Sequence, residues 1–279
     1  MKILFIGTGV MGKPMALHLA NHGLDVSVYN RTLSKAKLLE PHCTVCDKLD
    51  EAVKDKDIIF SIVGYPEDVK EIYHRIIPKA KKGAILVDMT TSSPQLAIEL
   101  YEIAKHNGLY MLDAPVTGGD LGAINATLSI MVGGDKTIFH QILPYFKMMG
   151  QTITYMGKAG NGQLMKLSNQ IVIAGNLLGI AEGITFAKAH NINLNAFHKV
   201  ITGGSATSWQ ADINGKKMIE GDYEPGFFVK HFLKDLRLAL ESSSSDLPML
   251  KQAEQTYRLL EPLYKDKGTQ VIILHYLLK

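Results

Sequence analysis

Over the first half of the chain, short apolar runs alternate with stretches whose apolar positions recur every three or four residues. The runs Lys2–Ile6, Val26–Tyr29, Cys43–Val45, Asp57–Val63, Ala84–Met89, Leu109–Asp113, Leu128–Val132 and Thr152–Tyr155 read as strands. Between most of them, Pro14–Asn21, Glu67–Ile76, Pro94–His106 and Lys136–Lys147 have helical periodicity. Apolar runs without polar alternation suit strands covered on both faces, and the intervening amphipathic helices supply the cover. The pattern predicts an α/β domain built on a doubly wound, mainly parallel sheet.

After the glycine-rich stretch Gly157–Gly162 the texture changes. Apolar residues recur at helical spacing from Gln163 to Ala189, a helix of about 27 residues and about 40 Å. Further helices are expected at Asn195–Thr202, Gly215–Glu220, Val229–Ser243, Leu247–Lys265 and Gln270–Leu278, with Ser242–Ser245 leading into a loop before Pro248. The predicted organisation is a sheet domain over 1–161 and an all-α domain over 162–279. The long helix carries Ile, Val and Leu on more than one face, more than a small domain readily covers, so a homodimer or homotetramer is expected.

Composition narrows the class. The 279 residues are 46% hydrophobic with 25 Gly and 10 Pro, as in an ordinary globular protein. A net charge of +3 leaves no dominant basic face, which disfavours nucleic acid as the main partner. The apolar opening is broken by Gly7, Gly9, Gly12 and Pro14 before it could form a signal-peptide core. Asn176 and Glu182 interrupt the longest apolar stretch, so no membrane partner is expected. The two cysteines, Cys43 and Cys46, are too few for a disulfide framework, and a cytoplasmic location is expected. Their spacing without a second ligand pair also predicts no metal site.

The first strand runs into Gly7-Thr8-Gly9-Val10-Met11-Gly12 and an apparent helix. In such a loop the first glycine permits a tight turn, the second lets the backbone approach a pyrophosphate, and the third allows close helix–strand packing. A dinucleotide cofactor is therefore expected on Gly7, Gly9, Val10, Met11 and Gly12. The second strand ends in Asn30-Arg31-Thr32, where NAD-selective sites usually carry a carboxylate for the ribose hydroxyls. Asp25 lies at the wrong end of that strand. Neutral donors and one guanidinium suit a 2′-phosphate, so NADP is expected in preference to NAD.

Three further stretches bear on the chemistry. Asp113-Ala114-Pro115-Val116-Thr117-Gly118-Gly119 ends in a hydroxyl and two glycine N–H groups suited to a carboxylate. Gly160-Asn161-Gly162-Gln163-Leu164-Met165-Lys166-Leu167-Ser168-Asn169 opens the long helix, and Lys234-Asp235-Leu236 lies in a later one. Together with the glycine loop, these resemble, in order and spacing, the motifs of the β-hydroxyacid dehydrogenases. That family includes 3-hydroxyisobutyrate dehydrogenase, tartronate semialdehyde reductase and the glyoxylate/succinic semialdehyde reductases. The resemblance covers essentially the whole chain and implies a 6-phosphogluconate dehydrogenase-like pairing of a Rossmann domain with a helical domain.

It also implies roles. Thr117, Gly118 and Gly119 would hold the substrate carboxylate, with Thr where Ser is commoner. Lys166 would be the general acid/base, and Asn169 would bind substrate or orient the lysine. Lys166, Asn169 and Gln170 fall at i, i+3 and i+4 and so share one helix face. Gln170 replaces the more frequent Asn, as in the tartronate semialdehyde reductase branch, and is counted with the substrate residues. Val63, Thr91 and Lys234 match cofactor-contacting positions, although Thr91 also lies in a hydroxyl-rich turn suited to capping the helix at Pro94. Gly64 stands where many relatives have Pro. Trp209 is a candidate for the substrate side, the core or a subunit contact; His231 is not needed once Lys166 supplies the proton.

The expected activity is NADP(H)-dependent hydride transfer between the nicotinamide and a small β-hydroxy acid or the corresponding semialdehyde or oxo acid. An NAD-dependent 3-hydroxyisobutyrate dehydrogenase is the alternative. A non-catalytic cofactor-binding protein on the same fold would be expected to lack the lysine.

Overall fold

The computed structural model describes residues 1–277. The chain divides into two compact units, Met1–Lys166 and the residues from Leu167 onward.

In the first unit the strands are β1 (Lys2–Ile6), β2 (Asp25–Tyr29), β3 (Thr44–Cys46), β4 (Ile58–Ser61), β5 (Ile85–Asp88), β6 (Tyr110–Asp113), β7 (Val116–Thr117), β8 (Leu128–Gly134) and β9 (Gly150–Gly157). They form one sheet in the order β3-β2-β1-β4-β5-β6-β8-β7, with β9 also on β8. The pairings from β3 to β6 are parallel, whereas β8 runs antiparallel to both β6 and β7 and parallel to β9. The helices are α1 (Gly12–Asn21), α2 (Leu33–Lys37), α3 (Leu49–Ala52), α4 (Pro66–Ile76), α5 (Pro94–His106), α6 (Gly119–Ile124) and α7 (Lys136–Phe146).

Two cores follow from the alternation of side chains along the strands. Ile3 and Phe5 of β1 pack with Met15, Leu19, Phe60 and Phe146 on one face. Leu4 and Ile6 pack with Ile59, Val69, Tyr73 and Leu100 on the other. Strands β4 and β5 are buried at every position, which is why they read as continuous apolar runs.

Helix α8 (Asn161–Ala189) starts in the first unit and continues through the second. It is long and apolar enough to cross a membrane by length and composition. Its Ala174, Leu177, Ala181 and Ile184 are built into the second unit's core with Phe232, Leu236 and Tyr257. Beyond it come α9 (Leu194–Gly203), a π-helical turn over Gln210–Asn214, α10 (Gly215–Glu220), α11 (Val229–Glu241), α12 (Pro248–Tyr264), a 3₁₀ turn over Thr269–Ile273 and α13 (Leu274–Leu277). Phe232 and Tyr257 meet edge to face at 5.1 Å, and the Tyr257 hydroxyl donates to the Thr269 carbonyl at 2.7 Å.

The architecture is the doubly wound sheet and helical region expected, with local corrections. The third strand is Thr44–Cys46, not Cys43–Val45. The two-residue β7 and the short α2, α3 and α6 lie below the length at which periodicity is readable. The helix expected over Gln270–Leu278 is split between the 3₁₀ turn and α13, because Thr269 to Ile273 are all buried and cannot share one helical face; Leu278 lies outside the described residues.

Candidate active site

At the end of β1 the chain turns through Gly7, whose φ of +93° favours glycine. A Cβ on Gly7 would collide with the Ile62 carbonyl oxygen, and one on Gly12 with the Gly7 carbonyl oxygen. A Cβ on Gly9 would meet nothing within 4 Å. Thus Gly7 and Gly12 serve packing, whereas Gly9 leaves open backbone at the start of the first helix, where the Lys13 N–H donates to the Gly9 carbonyl at 3.0 Å. The loop is tied to β2: the Gly7 N–H donates to Tyr29 O at 2.8 Å, and the Thr8 N–H to Asn30 Oδ1 at 3.0 Å. The Thr8 hydroxyl is buried without a hydrogen-bond partner, and Val10 is exposed. Open space beside the Gly9 backbone, at the start of a helix and next to an orphaned hydroxyl, fits the pyrophosphate of a dinucleotide.

The turn after β2 holds a group to which no local spacing in the sequence points. Arg31 is largely exposed and donates through Nη1 to Asp68 Oδ1 at 2.9 Å. The other oxygen of Asp68 accepts the Tyr65 N–H at 3.2 Å, in a capping box at the start of α4. A carboxylate does therefore stand at this turn, supplied by α4 rather than by the end of β2. Asn30 Nδ2 donates to Thr32 O at 3.0 Å and fixes the turn itself.

Farther along the carboxyl edge lie two buried acids in register, Asp88 on β5 and Asp113 on β6. Burial pushes both up to about 6, against the lowering effect of their hydrogen bonds. Asp88 accepts from Ser61 Oγ and the Thr90 N–H, each at 3.1 Å. Asp113 accepts from the Gly160 N–H at 2.8 Å through one oxygen and the Gln163 N–H at 2.9 Å through the other. It holds the start of α8.

The loop after β5 brings several candidates together. Thr90 Oγ1 accepts the Val63 N–H at 3.0 Å, so Val63 and Thr91 lie on joined loops. Ser93, not Thr91, caps α5 by accepting the Leu96 N–H at 3.3 Å. Gln163 is fully buried; its Oε1 accepts the Ser92 N–H at 2.9 Å and its Nε2 donates to Thr90 O at 2.7 Å. Lys166, one turn later on α8, is only 5% exposed. Thr117 ends β7, which shares the direction of β6 because both run antiparallel to β8. Gly118 and Gly119 follow with φ of +133° and +66°, and Gly118 is exposed.

In the second unit, Asn169 Nδ2 donates to Gln170 Oε1 at 3.0 Å, and Gln170 Nε2 donates to Asp235 Oδ2 at 2.7 Å. Lys234 Nζ lies 3.1 Å from the other oxygen of the fully buried Asp235. Both ends of the Gln170 amide are thus engaged by protein groups. The His231 imidazole is lowered by burial and by Lys234 and Lys230, and it stands edge-on to Phe228. Trp209 is 57% exposed, which excludes the core alternative. Burial raises the Cys43 thiol to about 11; both cysteines are free, and among the described residues no cluster of three His, Cys, Asp or Glu could hold a metal ion.

A doubly wound sheet with a glycine loop at the end of its first strand defines a dinucleotide-binding class, and likeness to known proteins narrows it. Residues 2–157 match the NAD-binding domain of 6-phosphogluconate dehydrogenase, and residues 160–277 match the NAD-binding family of NADP-dependent 3-hydroxyisobutyrate dehydrogenase. The chain is 45% identical over 276 residues to the uncharacterized oxidoreductase YkwC of Bacillus subtilis, covering 96% of each. It is 35% identical to 2-hydroxy-3-oxopropionate reductase of Escherichia coli, covering 97% of this chain and 94% of that one. Mycobacterium tuberculosis 3-hydroxyisobutyrate dehydrogenase, solved with L-serine, superposes with a TM-score of 0.92 at 29% identity over 98% of each chain. The chain belongs to the β-hydroxyacid dehydrogenase family. It is an NAD(P)-dependent dehydrogenase acting on a CH–OH group.

Proposed function

We propose that this protein is an NADP(H)-dependent reductase of small semialdehydes or oxo acids, forming β-hydroxy acids, with Lys166 as the general acid. The observation that carries this reading is Lys166 itself, nearly fully buried on a helix whose start is fixed by Asp113 and Gln163. When bound, the nicotinamide supplies the hydride. The Thr117 hydroxyl and the Gly118 and Gly119 N–H groups hold the substrate carboxylate. Lys166 gives its proton to the carbonyl oxygen as that oxygen gains charge and, in the reverse direction, takes it from the hydroxyl. Asn169 orients the substrate, while Gln170 and Asp235 hold Asn169. Gly7, Gly9, Val10, Met11, Gly12, Asn30, Arg31, Thr32, Val63, Thr91 and Lys234 carry the cofactor.

An exposed guanidinium at Arg31 favours the 2′-phosphate. The NAD-dependent 3-hydroxyisobutyrate dehydrogenase reading has its own support in Asp68, a carboxylate next to that guanidinium that would repel a 2′-phosphate. The Lys166, Asn169 and Gln170 arrangement, similar to that of the tartronate semialdehyde reductase branch, supports a small polar oxo acid as substrate. Exposed Val172, Phe186 and Val200 in the second unit support a homo-oligomer, and two free thiols support a cytoplasmic location.

The test is turnover of a panel of glyoxylate and succinic, tartronate and methylmalonate semialdehydes with NADPH and NADH, using wild type and Lys166→Ala. Loss of the general acid lowers turnover by about 10²–10⁴, with NADPH still bound. Retention within about tenfold of wild type removes the lysine from the chemistry.

A further inference from the structure

The start of α8 is held in a way that a helix terminus does not require. Helix N-terminal amides are usually satisfied by a neighbouring side chain or by water. Here Asp113 of β6 reaches across 47 and 50 positions of sequence to accept the Gly160 and Gln163 N–H groups. The approach is close enough to exclude side chains. A Cβ on Gly162 would lie 2.6 Å from the Asp113 carbonyl oxygen and 2.5 Å from that of Met131. One on Gly133 would lie 2.6 Å from Asp113 Oδ1 and 2.8 Å from the Gly162 nitrogen.

Gln163 adds a second tie in another direction. Its fully buried amide bridges the Ser92 N–H and the Thr90 carbonyl, the segment that also receives the Val63 N–H on Thr90 Oγ1. The same segment rests on Asp88 through the Thr90 N–H. The two ends of one side chain therefore lock the loop containing Thr91 to the first turn of the helix carrying Lys166. A planar amide with donor and acceptor both engaged fixes orientation as well as distance, which a single bond or an apolar contact would not.

We propose that Gln163 is a positioning residue that holds Lys166 in register with the Thr90–Ser92 loop, on a helix start pinned by Asp113. The inference rests on the reading of Lys166 as the proton donor and Thr91 as a cofactor neighbour. Its consequence is kinetic: displacement of a catalytic group by about 1 Å can cost about 10² in rate without weakening ground-state binding.

The experiment compares wild type with Gln163→Met, which removes both bonds at similar volume, and Gln163→Glu, which keeps the acceptor for Ser92 but loses the donor to Thr90. Reduction of tartronate semialdehyde is followed with NADPH and with NADPH deuterated at the transferred position. For Gln163→Met, kcat should fall about 100-fold while KM and the NADPH Kd change less than about threefold; the deuterium isotope effect on kcat should rise. Gln163→Glu should fall between the two. The proposal is overturned if the folded Met variant keeps kcat within about threefold, or if kcat and NADPH affinity fall together. If the Met variant does not fold, a wild-type kcat in Gln163→Glu overturns it. Should wild type reduce no substrate of the panel, the functional reading fails and the tie is decided by amide exchange: faster exchange in both 90–93 and 160–166 of the variant upholds it, and unchanged exchange in 90–93 refutes it.

Discussion

The three loop glycines make different demands, and single alanine substitutions should separate them. At Gly9 the backbone has an ordinary φ and an added Cβ meets no atom within 4 Å. Gly9→Ala should therefore leave stability within about 0.5 kcal/mol of wild type, or raise it slightly by restricting the unfolded chain. On the proposed reading, the same methyl stands where the cofactor pyrophosphate approaches the backbone. Losing one charge-assisted hydrogen bond there, worth about 1.5–3 kcal/mol, raises the NADPH Kd about 10- to 150-fold. At Gly12 the Cβ collides with the Gly7 carbonyl oxygen and lies 2.9 Å from Ile62 Cγ2, so the first helix must move away from β1. Overpacking of this kind costs about 1–3 kcal/mol, and Gly12→Ala should lose both stability and cofactor binding. Urea midpoints together with NADPH titration by fluorescence make the comparison. Wild-type affinity in Gly9→Ala, or equal destabilisation by the two substitutions, would refute this division of labour.

Two other outcomes test the site from different sides. Arg31→Asp should shift the ratio of kcat/KM for NADPH over NADH by at least about tenfold towards NADH, since a guanidinium–phosphate interaction is worth about 1.5–3 kcal/mol; an unchanged ratio removes Arg31 from cofactor choice. Asp88 tests the buried acids: its folded value of about 6 exceeds the ordinary 3.8, so the folded state binds the proton more tightly. That stabilisation is complete below about pH 4 and lost as pH rises through about 6, a span worth about 3 kcal/mol at 1.36 kcal/mol per unit. Wild type should lose up to that much stability relative to Asp88→Asn between pH 4 and pH 8 by urea unfolding, and a pH-independent difference would contradict it.

Much of the molecule was legible before folding. The buried strands β1, β4 and β5 show as unbroken apolar runs, and α5 shows as a full amphipathic period opened by Ser93-Pro94. The glycine loop was readable because its spacing is local, and the lysine-bearing segment because it resembles a family motif. Asp68, Asp113 and Gln163 were not. Asp68 looks like an ordinary capping residue of α4, and nothing near Arg31 in sequence points to it. Asp113 opens one of the motifs and Gln163 lies inside another, but nothing local shows that either would hold the start of α8. Gln170 shares a helix face with Lys166 and Asn169, and only the fold shows its amide engaged with Asn169 and Asp235.

The sequence by itself determined the class of fold and marked the candidate cofactor loop, because these depend on periodicity and short spacing, whereas Lys166 was singled out as the candidate proton donor by the resemblance of its segment to a family motif. Only the tertiary structure decided which buried polar groups share a bond. Asp113 meets Gly160, Gln163 meets Thr90 and Ser92, and Asp235 meets Gln170 across 47 to 73 residues of chain. A buried polar group must find a partner wherever the sheet and helices bring one, and no local pattern in the chain records that choice.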